Sequence, residues 1–277
     1  MIARYPRESR QREVPLPEEV VICEKKEPVA VLRLNRPDKH NAINRRLSSA
    51  LVAHLDALAE DSEVRVVVIT GAGEKAFCAG ADMTEVLGAS QGEGRGEGTV
   101  DVIMRLVRFP KPVIAAVNGF AYGGGALLAI TCDLRVAAHT ARFRFPGATY
   151  GLVVGGSQLP RIVGLSRAKD LIFTARVVDA AEALRIGLVD RMVVQADLEE
   201  AALELAGQIA ENSPEAVRAS KEVIDAVLPL EPAARRELEA NLTLRASEEH
   251  RRRFRDAAER VAGGDLRRSG SSGPDRF

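Results

Sequence analysis

Phe77-Cys78-Ala79-Gly80-Ala81-Asp82 closes a strand-like run, and Gly123-Gly124-Gly125-Ala126-Leu127-Leu128 opens an apolar helix. Each stretch puts small residues where a backbone N–H can approach a ligand closely. The second adds the positive end of a helix dipole. Two such donors aimed at one oxygen make an oxyanion hole, which stabilises charge developing on a carbonyl. The plainer reading of Gly123–Gly125 is tight packing of a helix on a strand. Between the two stretches lies Gly88 to Gly98, whose five glycines among polar residues predict a mobile loop or lid. That segment lacks the Gly-Lys-Ser/Thr ending of a phosphate-cradling loop.

Outward from this pair the pattern is α/β. Val20 to Cys23 and Val29 to Leu34 form a hairpin-like pair, broken by Arg36-Pro37-Asp38-Lys39-His40-Asn41. Ile43 to Leu58 has helical spacing, with Leu47, Leu51, Leu55 and Leu58 on one face. Val64 to Thr70 and Val113 to Val117 read as strands buried on both faces, and Leu134 to Ala137 as a further strand. After about residue 165 the spacing becomes helical: 167–175, 180–186, 197–211, 213–227 and 232–247, with only Arg191–Val194 extended. The expected organisation is a polar arm over 1–18, a core over 19–200, a helical region over 201–262 and a disordered tail over 263–277.

Lys plus Arg equals Asp plus Glu at 39 each, so the total charge gives no reason to expect nucleic acid or a membrane surface as partner. Three scattered cysteines (Cys23, Cys78, Cys132) favour a reducing compartment. Four scattered histidines show no metal-ligand spacing, so no metal site is expected. The start of the chain has no apolar signal core, and a cytoplasmic location is expected.

The paired stretches resemble the crotonase (enoyl-CoA hydratase/isomerase) superfamily over roughly residues 20–260. The resemblance implies a crotonase-like spiral of ββα units with a helical C-terminal trimerisation region, assembled as a homotrimer or homohexamer. It implies an acyl-CoA thioester as substrate, with no cofactor beyond the coenzyme A that the substrate carries. Ala81 and Gly124 match the two oxyanion-hole donors. Lys39, His40 and Ala42 match the loop bordering the coenzyme A adenine and phosphates, and Ala79, Gly80, Asp82, Met83 and Gly123 flank the donors. Asp82 is expected to cap the helix that begins near Met83 and so to steer the Ala81 N–H. Asp133 is expected to hold a helix-to-strand junction.

The departures from the family pattern are as informative as the matches. Both hydratase glutamates are missing, their places taken by Leu127 and by Gly147 in Phe143-Arg144-Phe145-Pro146-Gly147. Hydration needs a group that activates water and delivers a proton, which leucine and glycine cannot do. The space beside Gly147 is expected to admit water, a small anion or another side chain. The naphthoate-synthase branch has glycine there in some members, but this chain carries Phe145-Pro146 in place of that branch's Gln-Thr. Malonyl-type decarboxylases also dispense with these glutamates. Other polar candidates are Arg144, Thr149, Tyr150, Ser157 and Gln158, the last two expected to cap the next helix. Tyr150 is the preferred candidate for proton transfer, although a pocket-wall aromatic explains it equally. Glu85, Glu93 and Glu97 are placed to reach inward if the lid closes. An acyl-CoA enzyme and a catalytically silent fatty acyl-CoA binder therefore both stand; a purely structural protein is disfavoured because both halves of the donor pair remain.

Overall fold

The computed structural model describes residues 19–88 and 97–262. The arm (1–18), the centre of the glycine-rich segment (89–96, with Glu93), the Glu97 side chain and the tail (263–277) lie outside the described residues.

Two parallel-dominated sheets form alternately along the chain. The larger has the order β1 (Val21–Lys26), β2 (Val29–Leu34), β3 (Val66–Gly71), β5 (Val113–Val117), β7 (Leu134–Ala138) and β10 (Arg191–Val193). The smaller has the order β4 (Ala76–Cys78), β6 (Phe120–Tyr122), β8 (Arg142–Arg144) and β9 (Val177–Asp179). Only the β1–β2 and β8–β9 pairs are antiparallel. Strands β3 and β4 lead into α2 (Met83–Gly88) and α3 (Glu97–Val107), and β5 and β6 lead into α4 (Gly124–Thr131). The chain thus adds one strand to each sheet, then helix, as the spiral expectation requires. Helix α1 (Arg45–Glu60) connects β2 to β3.

Alternation within the strands explains the β-branched runs. Val67 and Ile69 join Leu47, Leu51, Leu55 and Phe77 in one core. Val66 and Val68, with Val29, Val31, Ile114 and Val136, pack under Leu198, Ala202 and Leu205 of α8 (Leu198–Ala210). A sheet covered on both faces tolerates no polar alternation, so VVVITG is buried throughout.

The remaining helices are α5 (Leu159–Val163), α6 (Leu165–Thr174), α7 (Ala180–Arg185), α9 (Pro214–Val227), α10 (Glu231–Arg245) and α11 (Glu248–Ala262). Two expectations need correction. The second half is not extended only at Arg191–Val194, because Val177–Asp179 pairs with β8 as an edge strand. The glycine-rich segment is not a loop throughout Gly88 to Gly98: Gly88 ends α2, and Glu97 and Gly98 begin α3. The Ser48 hydroxyl donates to the Gly98 carbonyl at 2.6 Å and so pins that end to α1.

Candidate functional site

Two glycines bring β4 and α4 into direct backbone contact. A Cβ on Gly125 would lie 1.9 Å from the Cys78 carbonyl oxygen, so α4 sits on the end of β4 as only glycine allows. Gly80 has φ +97, and a Cβ there would meet the Tyr122 carbonyl oxygen at 2.8 Å and the Gly124 nitrogen at 3.1 Å. Gly123 (φ +54) stands at the N-cap and turns the chain into α4. Close packing is thus the part of Gly80 and Gly125.

The Ala81 amide is aimed by its neighbours. Ile43 N–H donates to the Gly80 carbonyl at 2.7 Å, and Asp82 N–H donates to the Ile43 carbonyl at 2.9 Å, a parallel bridge between Ile43 and Ala81. In such a bridge the residue between the two bonds turns its own N–H away from the partner strand. The Ala81 nitrogen lies 3.6 Å from the Cβ position of Gly124. Among the described residues neither the Ala81 nor the Gly124 N–H donates a backbone hydrogen bond. Gly124 is the first residue of α4, where the helix itself provides no acceptor.

The loop before α1 holds this arrangement. Arg36 donates to the Ala42 carbonyl at 2.7 Å and to the Asp82 carboxylate at 2.9 Å. Asp82 also accepts from Thr84 N–H at 3.1 Å, so it caps α2 as expected. Burial would raise the Asp82 carboxyl, but the Arg36 hydrogen bond and charge outweigh it and hold it below the ordinary value. Asn41, fully buried with φ +55, donates to the Ala72 and Ala76 carbonyls and accepts from Arg36 N–H. Ala79 N–H donates to the His40 carbonyl at 3.0 Å. The fold thus brings His40, Ala42, Ala79, Gly80 and Asp82 together around one turn. Lys39 and Ala79 are exposed, whereas His40 and Met83 are half-buried. Ala42 already engages both its N–H, with Lys39, and its carbonyl, with Arg36. The Arg36–Asp82 pair and the bonds from Asn41 to the Ala72 and Ala76 carbonyls join residues 31 to 46 positions apart, which the sequence does not pair.

Leu127, one turn beyond Gly124, is half-buried and packs on the main core. Gly147 does not offer the space expected of it. A Cβ there would lie 2.8 Å from both the Leu152 carbonyl oxygen and the Val154 nitrogen. The chain folds back over the position, and Leu152 N–H donates to the Gly147 carbonyl at 2.8 Å.

Tyr150 packs edge-on against Phe254, with ring centroids 6.2 Å apart, and its carbonyl meets a His250 ring nitrogen at 2.7 Å. These partners are both on α11 and engage the ring and the backbone rather than the hydroxyl. Ser157 and Gln158 do not cap α5 with their side chains. Gln158 is instead buried against the Thr131 hydroxyl. The Gly155 and Ser157 amides donate to the two oxygens of Glu237 at 3.0 and 2.8 Å, and Asn241 bonds both the N–H and the carbonyl of Val153 at 2.8 Å. Helix α10 thereby fastens the segment that covers Gly147. Glu85 accepts from Arg45 N–H, which ties it to the start of α1. Arg144 donates to the Ala175 carbonyl, and Asp133 accepts from Val113 N–H and Lys221, consistent with a junction-holding residue.

Burial pushes the Cys78 and Cys132 thiols up to about 12, so neither supplies a thiolate nucleophile near neutral pH. Among the described residues no three or more His, Cys, Asp or Glu side chains are grouped to hold a metal ion. No described helix is long and apolar enough to cross a membrane.

The family profile described as enoyl-CoA hydratase/isomerase matches residues 24–261. The short-chain-enoyl-CoA hydratase of Clostridium acetobutylicum is 46% identical over 210 residues, covering 74% of this chain and 80% of that protein. The crotonyl-CoA hydratase of Syntrophomonas wolfei is 43% identical over 208 residues, covering 73% and 80%. The crystal structure of a carnitinyl-CoA hydratase from Mycobacterium avium superposes with a TM-score of 0.80 at 35% identity, covering 88% of this chain and 97% of that one. With the two-sheet spiral and a match spanning nearly all the described residues, the chain belongs to the enoyl-CoA hydratase/isomerase family.

Proposed function

We propose that this protein acts on acyl-CoA thioesters and holds the thioester oxygen between the Ala81 and Gly124 amides while enolate charge develops on it. The observation that carries this reading is the pair of backbone donors brought side by side without backbone acceptors among the described residues. Donors fixed before the reaction stabilise developing charge with little reorganisation. The names of the three relatives given above, each a hydratase of a CoA thioester, support the substrate class. Lys39 and His40, beside the donor turn, are proposed to meet the phosphates of coenzyme A. The chemistry at Leu127 and Gly147 is aprotic, so the reaction is one in which enolate stabilisation does most of the work. Decarboxylation of a malonyl-type thioester fits that requirement, since loss of CO2 generates the enolate without a base.

A second reading has its own support. Leu127 packs half-buried against the core and Gly147 is closed over by the 152–154 backbone, which favours a silent acyl-CoA binder that keeps the donor pair for affinity. Assembly into a trimer or hexamer is also proposed. Val223, Ile224 and Val227 of α9 are 68%, 68% and 72% exposed in the single chain, as a face covered by another copy would be.

The deciding experiment incubates the protein with enoyl-, malonyl- and β-ketoacyl-CoA thioesters, with products read by mass spectrometry and binding by calorimetry. Conversion of any one supports the enzyme reading. Binding without conversion supports the silent binder, and absence of binding to all of them sinks both.

A further inference from the structure

Thr99 lies in the first turn of α3, and its hydroxyl oxygen is buried with no hydrogen-bond partner among the described residues. Three other helical threonines show how such hydroxyls are ordinarily satisfied. Thr131, Thr174 and Thr243 each bond the carbonyl four residues back, Leu127, Asp170 and Glu239, at 2.7, 2.6 and 3.3 Å. Thr99 is the third described residue of α3, and its hydroxyl makes no such bond. Leaving a buried hydroxyl unpaired is costly, and native proteins rarely do so without a reason.

Its position supplies a reason. The Cβ position of Gly124 lies 3.0 Å from Thr99 Cγ2, 3.5 Å from Thr99 Oγ1 and 3.6 Å from the Ala81 nitrogen. The threonine and the Ala81 amide therefore face the same bare Cα. The Ser48–Gly98 hydrogen bond holds the start of α3 against α1, so Thr99 reaches this place on a pinned turn rather than a free end.

We propose that the Thr99 hydroxyl is a substrate-contacting group: it donates a third hydrogen bond to the thioester oxygen held by Ala81 and Gly124, and it stays unpaired in the free protein because that oxygen is its partner. This rests on the acyl-CoA reading above. A side-chain donor beside two backbone donors strengthens as charge grows on the oxygen, as the amides do. No atom is transferred; the hydroxyl keeps its proton throughout.

The test uses the full-length protein with butyryl-CoA and with S-butyl-CoA, a thioether that lacks the carbonyl oxygen. Thr99→Val should weaken butyryl-CoA binding about five- to tenfold, the value of one hydrogen bond, and leave S-butyl-CoA binding unchanged. Thr99→Ser, which restores the hydroxyl, should recover most of the affinity. The free Thr99→Val protein should melt at the same temperature as wild type or higher, because an unpaired buried hydroxyl has been replaced by a methyl group. A merely structural threonine predicts the reverse: a lower melting temperature, or failure to fold, with both affinities unmoved in any folded variant. Wild type that prefers the thioester, joined to a Thr99→Val protein that prefers it equally, overturns the Thr99 assignment and leaves the amide pair standing. Wild type that does not distinguish the two ligands overturns the amide pair and Thr99 together.

Discussion

The two sides of the candidate site have been treated differently by the sequence. On the Ala81/Gly124 side, three close approaches of backbone and an Arg36–Asp82 ion pair surround two N–H groups, and a buried asparagine braces the loop beside them. On the Leu127/Gly147 side the protein has been filled: leucine packs on the core, and residues 152–154 lie over the glycine and are held down by Glu237 and Asn241. On the proposed reading one side supplies donors for an anion, while Leu127 and Gly147 on the other carry no group that can move a proton. Charge stabilisation and proton transfer are separable parts of enolate chemistry, and here only the first is supported by built structure.

The largest effect expected from this contrast is on hydration. Each missing acid–base group is worth about 10²–10⁴ in rate, so crotonyl-CoA hydration should be slower by at least that factor than in a family member with both glutamates. A spectrophotometric assay checks it, and a turnover number of about 10 per second or more would show that another residue has taken over. On the donor side, Gly124→Pro removes one N–H at the first helical position, where proline is compatible with the helix. Loss of about 10²–10³ in turnover, or of thioester binding if the protein is silent, is expected. Circular dichroism of the variant separates this from unfolding.

The closed side is sharpened by putting a glutamate back. Gly147→Glu should not restore hydration and should destabilise the protein by about 1–3 kcal/mol, since its Cβ has backbone on both sides. A stable, active variant would mean that the 152–154 segment yields readily. Glu237→Ala tests the fastening itself. It strips the Gly155 and Ser157 amides of their acceptor, an expected cost of about 1–3 kcal/mol in denaturant unfolding, less if solvent reaches them. Faster hydrogen exchange should be confined to 152–158.

Much of this architecture was legible where burial writes a period into the chain. Leu47, Leu51, Leu55 and Leu58 declared α1, and the unbroken Val66–Ile69 run declared a strand with both faces covered. Strands β6, β8 and β9 were missed because each has three residues, and Arg142 and Arg144 flank Phe143 in a segment too short to show alternation. The small-residue stretches were readable because close backbone approach demands glycine itself. Arg36 with Asp82, Glu237 with Gly155 and Thr99 with Gly124 were not, since each partnership spans a distance that only the folded spiral closes.

The smallest expected effect concerns the Arg36–Asp82 pair, which links the loop before α1 to the cap of α2 on either side of Ala81. Its carboxylate is depressed below the unfolded value of 3.8 because the Arg36 guanidinium and the Thr84 and Glu85 N–H groups outweigh the penalty of burial. A depressed carboxylate stabilises the fold fully above its unfolded pKa, and that stabilisation is lost as pH falls through the folded one. Wild type should therefore lose melting temperature between about pH 5 and pH 3 more steeply than Asp82→Asn, whose side chain does not titrate. Above pH 5 the two profiles should run parallel, with the asparagine variant lower because a neutral amide pairs more weakly with Arg36. The pair flanks Ala81, so thioester affinity in wild type is expected to fall only as the folded carboxyl takes up its proton, below 3.8, a step that the variant should lack. Parallel stability profiles throughout, or an affinity that ignores pH in both proteins, would mean that the backbone bridge to Ile43 holds Ala81 without help from the ion pair.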